Sequence, residues 1–339
     1  MKTRLLAAAA PIATLMATLL AAPLGHAANN VNDAARFLAG LSVGGDSALA
    51  PLMQDPAWKQ HAGYFDSAWS KLENRQLSKI RGWTGAHLRG RGANVFYMFS
   101  GPDFLYADAF FPGARNYVLC GIEPVGSVPD VTKLALGPAL YQVESSLNSV
   151  LNYSFFQTKQ MREDLNARQL NGTLPVLMVF LARCGKTIEN ISPVQPRGVR
   201  IDFNGGSLYY FSVDLSNGSA ERSGLLSFCR RLGRGDSLLK SASYLPHENG
   251  FATIRNFLID QSDILVQDDS GVPFHFLDPA QWQIRLYGDY QPPIDIFKQY
   301  YQPDLADAFA RSNPEPLSFG IGYRGWDPKK SALIVAYHK

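Results

Sequence analysis

The chain has 339 residues, a formal net charge of +3 and a hydrophobic fraction of 46%. This charge is too small for the basic surface that nucleic-acid binding needs, and the hydrophobic fraction is enough for a large core. After the N-terminus, no apolar run reaches the ~20 residues that span a bilayer. The composition therefore predicts a soluble mature protein that neither binds nucleic acid nor spans a membrane.

The N-terminus has the pattern of a secretory signal peptide. Lys2 and Arg4 precede an apolar, Ala-rich run from Leu5 to Leu20, and the small residues around His26 fit a signal-peptidase site. A retained membrane anchor is the alternative. We expect residues 1–27 to be removed and the mature protein to be periplasmic or secreted.

The remaining chain shows no Pro/Ser-rich linker and no internal repeat, so we expect a helical N-terminal lead over residues 28–92 and one α/β domain over residues 93–339. Within the lead, Trp58, His61 and Phe65 recur at helical spacing. This pattern favours a helix face buried against the core over an aromatic platform for a ligand.

Residues 94–126 have the pattern of two buried strands joined by a helix. Val95 to Phe99 and Tyr117 to Ile122 are short apolar runs, and Phe104 to Phe111 has helical length. Because buried strands with a helical crossover pair in parallel, we predict a βαβ unit here.

Polar residues follow both predicted strands. In parallel sheets, ligands bind beyond the carboxyl ends of the strands, so Ser100, Asp103 and Glu123 are candidate catalytic residues. Glu123 lies where a ribose-binding acid would be expected. However, the turn has Gly101 as its single glycine, Pro102 lacks a backbone N–H, and Asp103 would repel a pyrophosphate. Asp103 is more compatible with S-adenosylmethionine, which has no phosphate. However, export would separate the chain from the cytoplasmic pools of such cofactors. We therefore expect a scaffold of this type without a bound cofactor.

The middle of the chain predicts a β-hairpin insertion near residues 197–215, because two alternating runs flank Asn204-Gly205-Gly206. We also predict a helix continuing through Met161 and Leu165, and strands over 240–245 and 317–323. The fold class is α/β, with a Rossmann-like or methyltransferase-like, partly parallel sheet and flanking helices.

Two further clusters carry possible chemistry. Lys240, with Ser241, Ser243 and His247 near it, suggests a nucleophile and a base, although no G-x-S-x-G elbow is present. Asp268 and Asp269 follow a predicted strand and are candidate metal ligands, with capping of the turn as the alternative.

The three cysteines allow at most one internal disulfide. Cys120 lies in a predicted strand and is expected to be buried. Cys184 and Cys229 each follow an apolar helical pattern, so a bridge between them is possible. No C-x-x-C spacing indicates a zinc site.

The segments FSGPD, FFPGA, YVLCGIEPVG, LKSASYLPHE and VQDDSG together resemble a group of functionally uncharacterised bacterial exported proteins, over about residues 94–323. The resemblance implies a cell-envelope context and no specific ligands or catalytic residues. We therefore expect an exported binding or accessory protein for a small molecule or an envelope component. The alternative is a periplasmic or secreted hydrolase with an acidic cleft, which acts with or without the help of a metal ion.

Overall fold

A nine-stranded sheet with helices on both faces forms the centre of the computed structural model, which describes residues 24–153 and 170–339. Residues 1–23 of the predicted signal peptide (residues 1–27) lie outside these ranges, as does the predicted helix through Met161 and Leu165. The strands are β1 (Asn94–Tyr97), β2 (Asn116–Gly121), β3 (Ile188–Val194), β4 (Gly198–Phe203), β5 (Gly206–Ser212), β6 (Gly235–Leu239), β7 (Ser262–Gln267), β8 (Trp282–Gly288) and β9 (Ala332–His338).

The α-helices of the described ranges fall into a set before β3 and a set after β5. They are α1 (Leu24–Leu38), α2 (Pro56–Leu72), α3 (Ser78–His87), α4 (Phe104–Phe110), α5 (Leu136–Tyr153), α6 (Leu174–Arg183), α7 (Asn217–Ser223), α8 (Leu225–Leu232), α9 (Ala252–Gln261) and α10 (Pro303–Ser312). Among the residues described, no helix combines the length and the apolar character that crossing a membrane requires.

The strand order is β3-β4-β5-β2-β1-β6-β7-β9-β8. The five central strands, from β5 to β7, run parallel, whereas β9 and the β3–β4 pair run antiparallel to their neighbours. With β1 in the middle and successive crossovers to either side, this is the Rossmann-like, methyltransferase-like arrangement that the sequence predicts. The predicted hairpin is also confirmed, because β4 and β5 pair across the turn at Gly205.

Side chains of β1 alternate between two hydrophobic clusters, because successive residues of a strand point to opposite faces. Val95 and Tyr97 belong to one cluster, and Phe96 belongs to the other. The first cluster includes residues of α1 to α6, and the second includes residues of α8, α9 and α10. Both faces of the sheet are therefore covered, as a buried parallel sheet requires.

The helical lead belongs to the first of these clusters. Helix α2 begins at Pro56 after Asp55, whose side chain accepts a hydrogen bond from the N–H of Ala57. Its apolar face is buried, and both ring nitrogens of His61 are bonded, to Glu144 and to the carbonyl oxygen of Leu38. The interpretation of this face as core is confirmed.

Three predictions about local structure are wrong. Residues 240–245 form a turn after β6, because Ser241, Ser243 and Tyr244 all have positive φ angles, which a strand does not allow. Residues 317–323 are not a strand, and their only regular element is a 3-10 turn that starts at Gly322. The sequence Asn217-Gly218-Ser219 also predicts a turn, but these residues are the start of α7.

The cysteines are all free. Cys120 is buried, as predicted, and packs in the cluster on the second face. The possible bridge between Cys184 and Cys229 is not formed, because Cys184 packs against the first cluster and Cys229 belongs to the second. The sheet lies between the two sulfur atoms.

A buried carboxyl group lies at the start of β6, on the amino-terminal side of the sheet. Asp236 is fully buried, and its Oδ2 accepts a 2.7 Å hydrogen bond from the N–H of Gly92. Burial raises the pKa of Asp236 from 3.8 to about 7. The Asp236 carboxyl group therefore binds its proton more tightly in the folded protein than in the unfolded chain.

We predict that Asp236→Asn stabilises the protein at neutral pH. Because the pKa is raised on folding, the native protein loses stability as pH rises from about 4 to about 7, and an amide removes this loss. Thermal unfolding should show a gain of about 1–3 kcal/mol at pH 8 that shrinks at pH 4. The exposed Asp260→Asn is the control, and an equal gain at both pH values would contradict the account.

Candidate functional site

A cavity of about 830 Å³ opens at the carboxyl ends of β1, β2, β5 and β6. This is the edge of the sheet where open α/β folds bind ligands. Its volume falls in the range of small-molecule sites. The lining residues are Tyr97, Met98, Phe99, Ser100, Gly101, Asp103, Cys120, Gly121, Ile122, Glu123, Val213, Asp214, Leu215, Lys240, Ser241, Ala242, Ser243, Leu245, Phe251 and Tyr323.

Four of the five predicted catalytic candidates line this cavity: Ser100, Asp103, Glu123 and Lys240. The first three follow directly from the βαβ unit, whose strand ends meet at one edge. Ser100 is buried, and its hydroxyl donates to the carbonyl oxygen of Gly101 at 2.8 Å and accepts from the N–H of Cys120 at 3.3 Å. The Ser100 hydroxyl thus ties the β1 turn to β2.

Asp103 and Lys240 form an ion pair at the base of the cavity. Their side chains are 2% and 1% exposed, and Nζ lies 3.3 Å from Oδ2. The phenol of Tyr97 donates to the same oxygen at 3.0 Å, and the Lys240 ammonium lies 3.8 Å from the centre of the Tyr106 ring. The other Asp103 oxygen caps α4 through the N–H of Tyr106.

Burial shifts the pKa values of this pair toward the neutral forms. It raises the pKa of Asp103, against the opposing attraction of Lys240, and it lowers the pKa of Lys240, against the attraction of Asp103 and Asp268. Burial also raises the pKa of Asp268. Buried ionisable groups with shifted pKa values beside a cavity are a feature of functional sites.

Glu123 lies where the β1 turn and the end of β2 approach each other. It is buried, and the Tyr210 phenol donates to its Oε2 at 3.2 Å. A Cβ on Gly121 would lie 2.3 Å from this Oε2 and 2.9 Å from the Cα of Gly101. Glycine is therefore required at position 121 for the carboxylate of Glu123 to occupy this place.

The turn after β6 has a strained backbone. Ser241, Ser243 and Tyr244 have φ angles of 53°, 54° and 55°, which side-chain-bearing residues rarely adopt. The Ser241 N–H donates to Asp268 at 2.8 Å, and Tyr323 Oη donates to the carbonyl oxygen of Ser241 at 2.8 Å. The Ser241 hydroxyl is buried and has no hydrogen-bond partner, although the residue lines the cavity.

The remaining candidates lie outside the cavity. His247 packs against Tyr244, and its Nε2 lies 3.2 Å from the carbonyl oxygen of Asp269; burial lowers its pKa to about 4. Asp268 accepts hydrogen bonds from the N–H groups of Ser241 and Ser270. Asp269 accepts from the Tyr244 phenol at 2.6 Å, and burial raises its pKa to about 7.

The two adjacent aspartates thus have hydrogen-bond partners of the kind expected for a turn. Within residues 24–153 and 170–339, no group of three or more His, Cys, Asp or Glu side chains could hold a metal ion. Metal binding by Asp268 and Asp269 stays a prediction from the sequence.

Most of the apolar wall was not identified from the sequence. Phe99, Ile122 and Leu215 follow the strands of the parallel core, and Phe251 and Tyr323 come from later segments. The first three follow from the rule that strand ends carry ligands. No local pattern marks the other two.

Comparison of the chain with models of protein families and with curated protein sequences found no match. The resemblance to uncharacterised exported proteins therefore stays a prediction.

We predict that Lys240→Met destabilises the protein by about 3–5 kcal/mol, because it leaves the Asp103 carboxylate buried without its cation. Asp103→Asn in the Lys240→Met background should recover part of this loss, since the amide retains the cap of α4. Urea unfolding measures both effects.

The exposed Asp130–Lys133 pair is the control for this experiment. Lys133→Met should leave stability nearly unchanged, because a solvated ion pair contributes little. Strictly additive effects of Asp103→Asn and Lys240→Met would contradict the proposed coupling.

Proposed function

We propose that the protein is an exported binding protein of the bacterial cell envelope, and that it holds a small organic molecule in the cavity at the strand ends. The observation that carries this proposal is the cavity itself, which combines apolar walls with a buried polar base at the edge where α/β sheets bind ligands. The signal-peptide pattern at the N-terminus supports export.

The composition of the cavity supports binding of an organic molecule in particular. Phe99, Leu245 and Phe251 are partly exposed apolar residues of the wall, and Ile122 is 53% exposed at its rim. A small ligand would cover this apolar surface and gain free energy from its burial. The base supplies the few polar groups that fix a ligand's orientation.

The polar groups of the base are also held by protein partners. Asp103 is bound by Lys240, Tyr97 and the N–H of Tyr106, and Glu123 is bound by Tyr210. Such groups change position little when a ligand enters, which lowers the cost of binding. This arrangement favours recognition of a ligand over chemical attack on it.

The alternative is a hydrolase, which is favoured by one observation: two candidate acids and Lys240 line the same cavity. Against it, the Ser100 hydroxyl donates to a carbonyl oxygen, the Ser241 hydroxyl has no partner, and His247 lies elsewhere. Labelling of Ser100, Ser241 or Ser243 in the folded protein by a fluorophosphonate probe would favour the hydrolase.

We predict that Nile red, a neutral apolar dye, binds the full chain with 1:1 saturation. Ile122→Asp should weaken this binding at least about tenfold, because a carboxylate replaces part of the apolar wall and would be desolvated by the dye. Fluorescence titration gives both dissociation constants.

Ile296→Asp is the matched control, since Ile296 is 72% exposed and lies away from the cavity. It makes the same change of side chain and of charge. If the two variants lose affinity equally, or if the dye does not saturate, the cavity is not the binding site.

A further inference from the structure

We infer that the ligand is a lipophilic cation, that is, a molecule with an apolar body and an ammonium group. This inference rests on the proposed function, because it names the class of molecule that the same cavity takes. Three features of the lining support it: the exposed carboxylate of Asp214, the lack of groups that could hold an anion, and the aromatic part of the wall.

Asp214 is the acid of the lining that is open to solvent. It is exposed, whereas Asp103 and Glu123 are buried. Its Oδ1 accepts a 2.9 Å hydrogen bond from the N–H of Ser216, and its Oδ2 accepts one of the same length from the Ser216 hydroxyl. These bonds orient the carboxylate, and because a carboxylate has about four lone-pair sites, they leave room for a donor on a ligand.

The negative charge of Asp214 is not balanced by an ion pair. The hydrogen bonds from the N–H and the hydroxyl of Ser216 hold the pKa of Asp214 below its ordinary value, so the group is ionised at neutral pH. Within residues 24–153 and 170–339, no Lys, Arg or His side chain pairs with it. An ammonium group beside Asp214 would therefore gain the attraction of this charge without displacing a cation of the protein.

The single cation among the lining residues is not open to an anion. The Lys240 side chain is 1% exposed, and its Nζ is paired with Asp103. An anionic ligand would have to compete with the buried Asp103 carboxylate for this ammonium, and leaving that carboxylate without its cation is strongly unfavourable.

Backbone N–H groups of the two turns at the cavity are also occupied. An anion site built from a turn needs N–H groups that point at the ligand. Here the N–H groups donate to other atoms of the protein in the case of Gly101, Asp103, Ser241, Ala242 and Ser243. The lining thus attracts a cation at Asp214 and offers these groups to no anion.

The aromatic part of the wall suits the apolar body of such a ligand. Phe99 and Phe251 are half-buried, and their rings pack edge to face with centroids 6.1 Å apart. Aromatic ring faces carry partial negative charge, so they bury apolar groups and also attract a nearby cation. An anion would gain nothing from these faces.

The Ser241 hydroxyl offers a further polar contact. Its oxygen is buried and has no hydrogen-bond partner, and the residue lines the cavity. A buried hydroxyl without a partner costs free energy, and a polar hydrogen of the ligand would satisfy it.

Calorimetric titration of the full chain with three probes of one apolar body tests the inference. Phenylbutylamine is cationic at neutral pH, phenylbutanol is neutral and phenylbutyrate is anionic. The amine should bind at least about fivefold more tightly than the alcohol, and the anion should bind most weakly. Because Asp214 is exposed, raising the salt from about 10 mM to about 1 M should reduce the preference for the amine over the alcohol to about twofold.

Asp214→Asn should reduce the preference for the amine to about twofold or less and leave the affinity for the alcohol unchanged. The amide oxygen can still accept from the N–H of Ser216, so the variant should keep its melting temperature. Asp278→Asn is the matched control, because Asp278 is exposed, accepts from the N–H of Ala280 two residues on, and lies outside the lining. It should preserve the native preference.

The outcomes separate the two proposals. If the amine binds no better than the alcohol, or if Asp214→Asn leaves its preference unchanged, the ligand class is wrong. If Nile red binds in the cavity and none of the three probes binds, the ligand class is again wrong and the proposed function stands. If neither the dye nor any probe binds, the proposed function fails as well.

Discussion

The buried ion pair between Asp103 and Lys240 is the interaction on which the carboxyl edge of the sheet depends. It joins the residue that caps α4 to the residue that follows β6, and the Tyr97 phenol adds a third bond from β1. Two charges at this depth are tolerated only because each is paired and bonded. The pair therefore fixes how the β1 turn and the β6 turn sit relative to each other.

The cavity follows from that constraint. The turn after β1 is bonded to β2 through Ser100, and the turn after β6 is bonded to the segment after β7 through Asp268, so these polar contacts fix the segments that surround the cavity. The backbone of the turn at 241–244 is strained, and positive φ angles of this kind persist only where surrounding contacts hold the backbone in place.

The sequence predicts the parts of this arrangement that local pattern encodes. The βαβ unit and its polar ends follow from short apolar runs and turn residues, which bring Ser100, Asp103 and Glu123 together. The sequence places Lys240 beside Ser241 and Ser243 in a predicted strand. It does not predict the ion pair that Lys240 forms with Asp103, which is distant in the chain. The sequence does not predict strand β3, an edge strand in which Ile188 is the one buried residue and the other six are exposed or half-buried. Tyr323 reaches the site through tertiary packing, which no local pattern records.

Photolabelling is the most direct test of whether a small molecule binds in the strand-end cavity. A neutral alkyl diazirine, activated on the folded full-length protein, can be located by mass spectrometry of its peptides. We predict that labels concentrate in the segments 97–103, 120–123, 213–215 and 240–245, which contain most of the residues that line the cavity. Labels concentrated instead on the exposed surface around Ile296 and Tyr301 would contradict the claim.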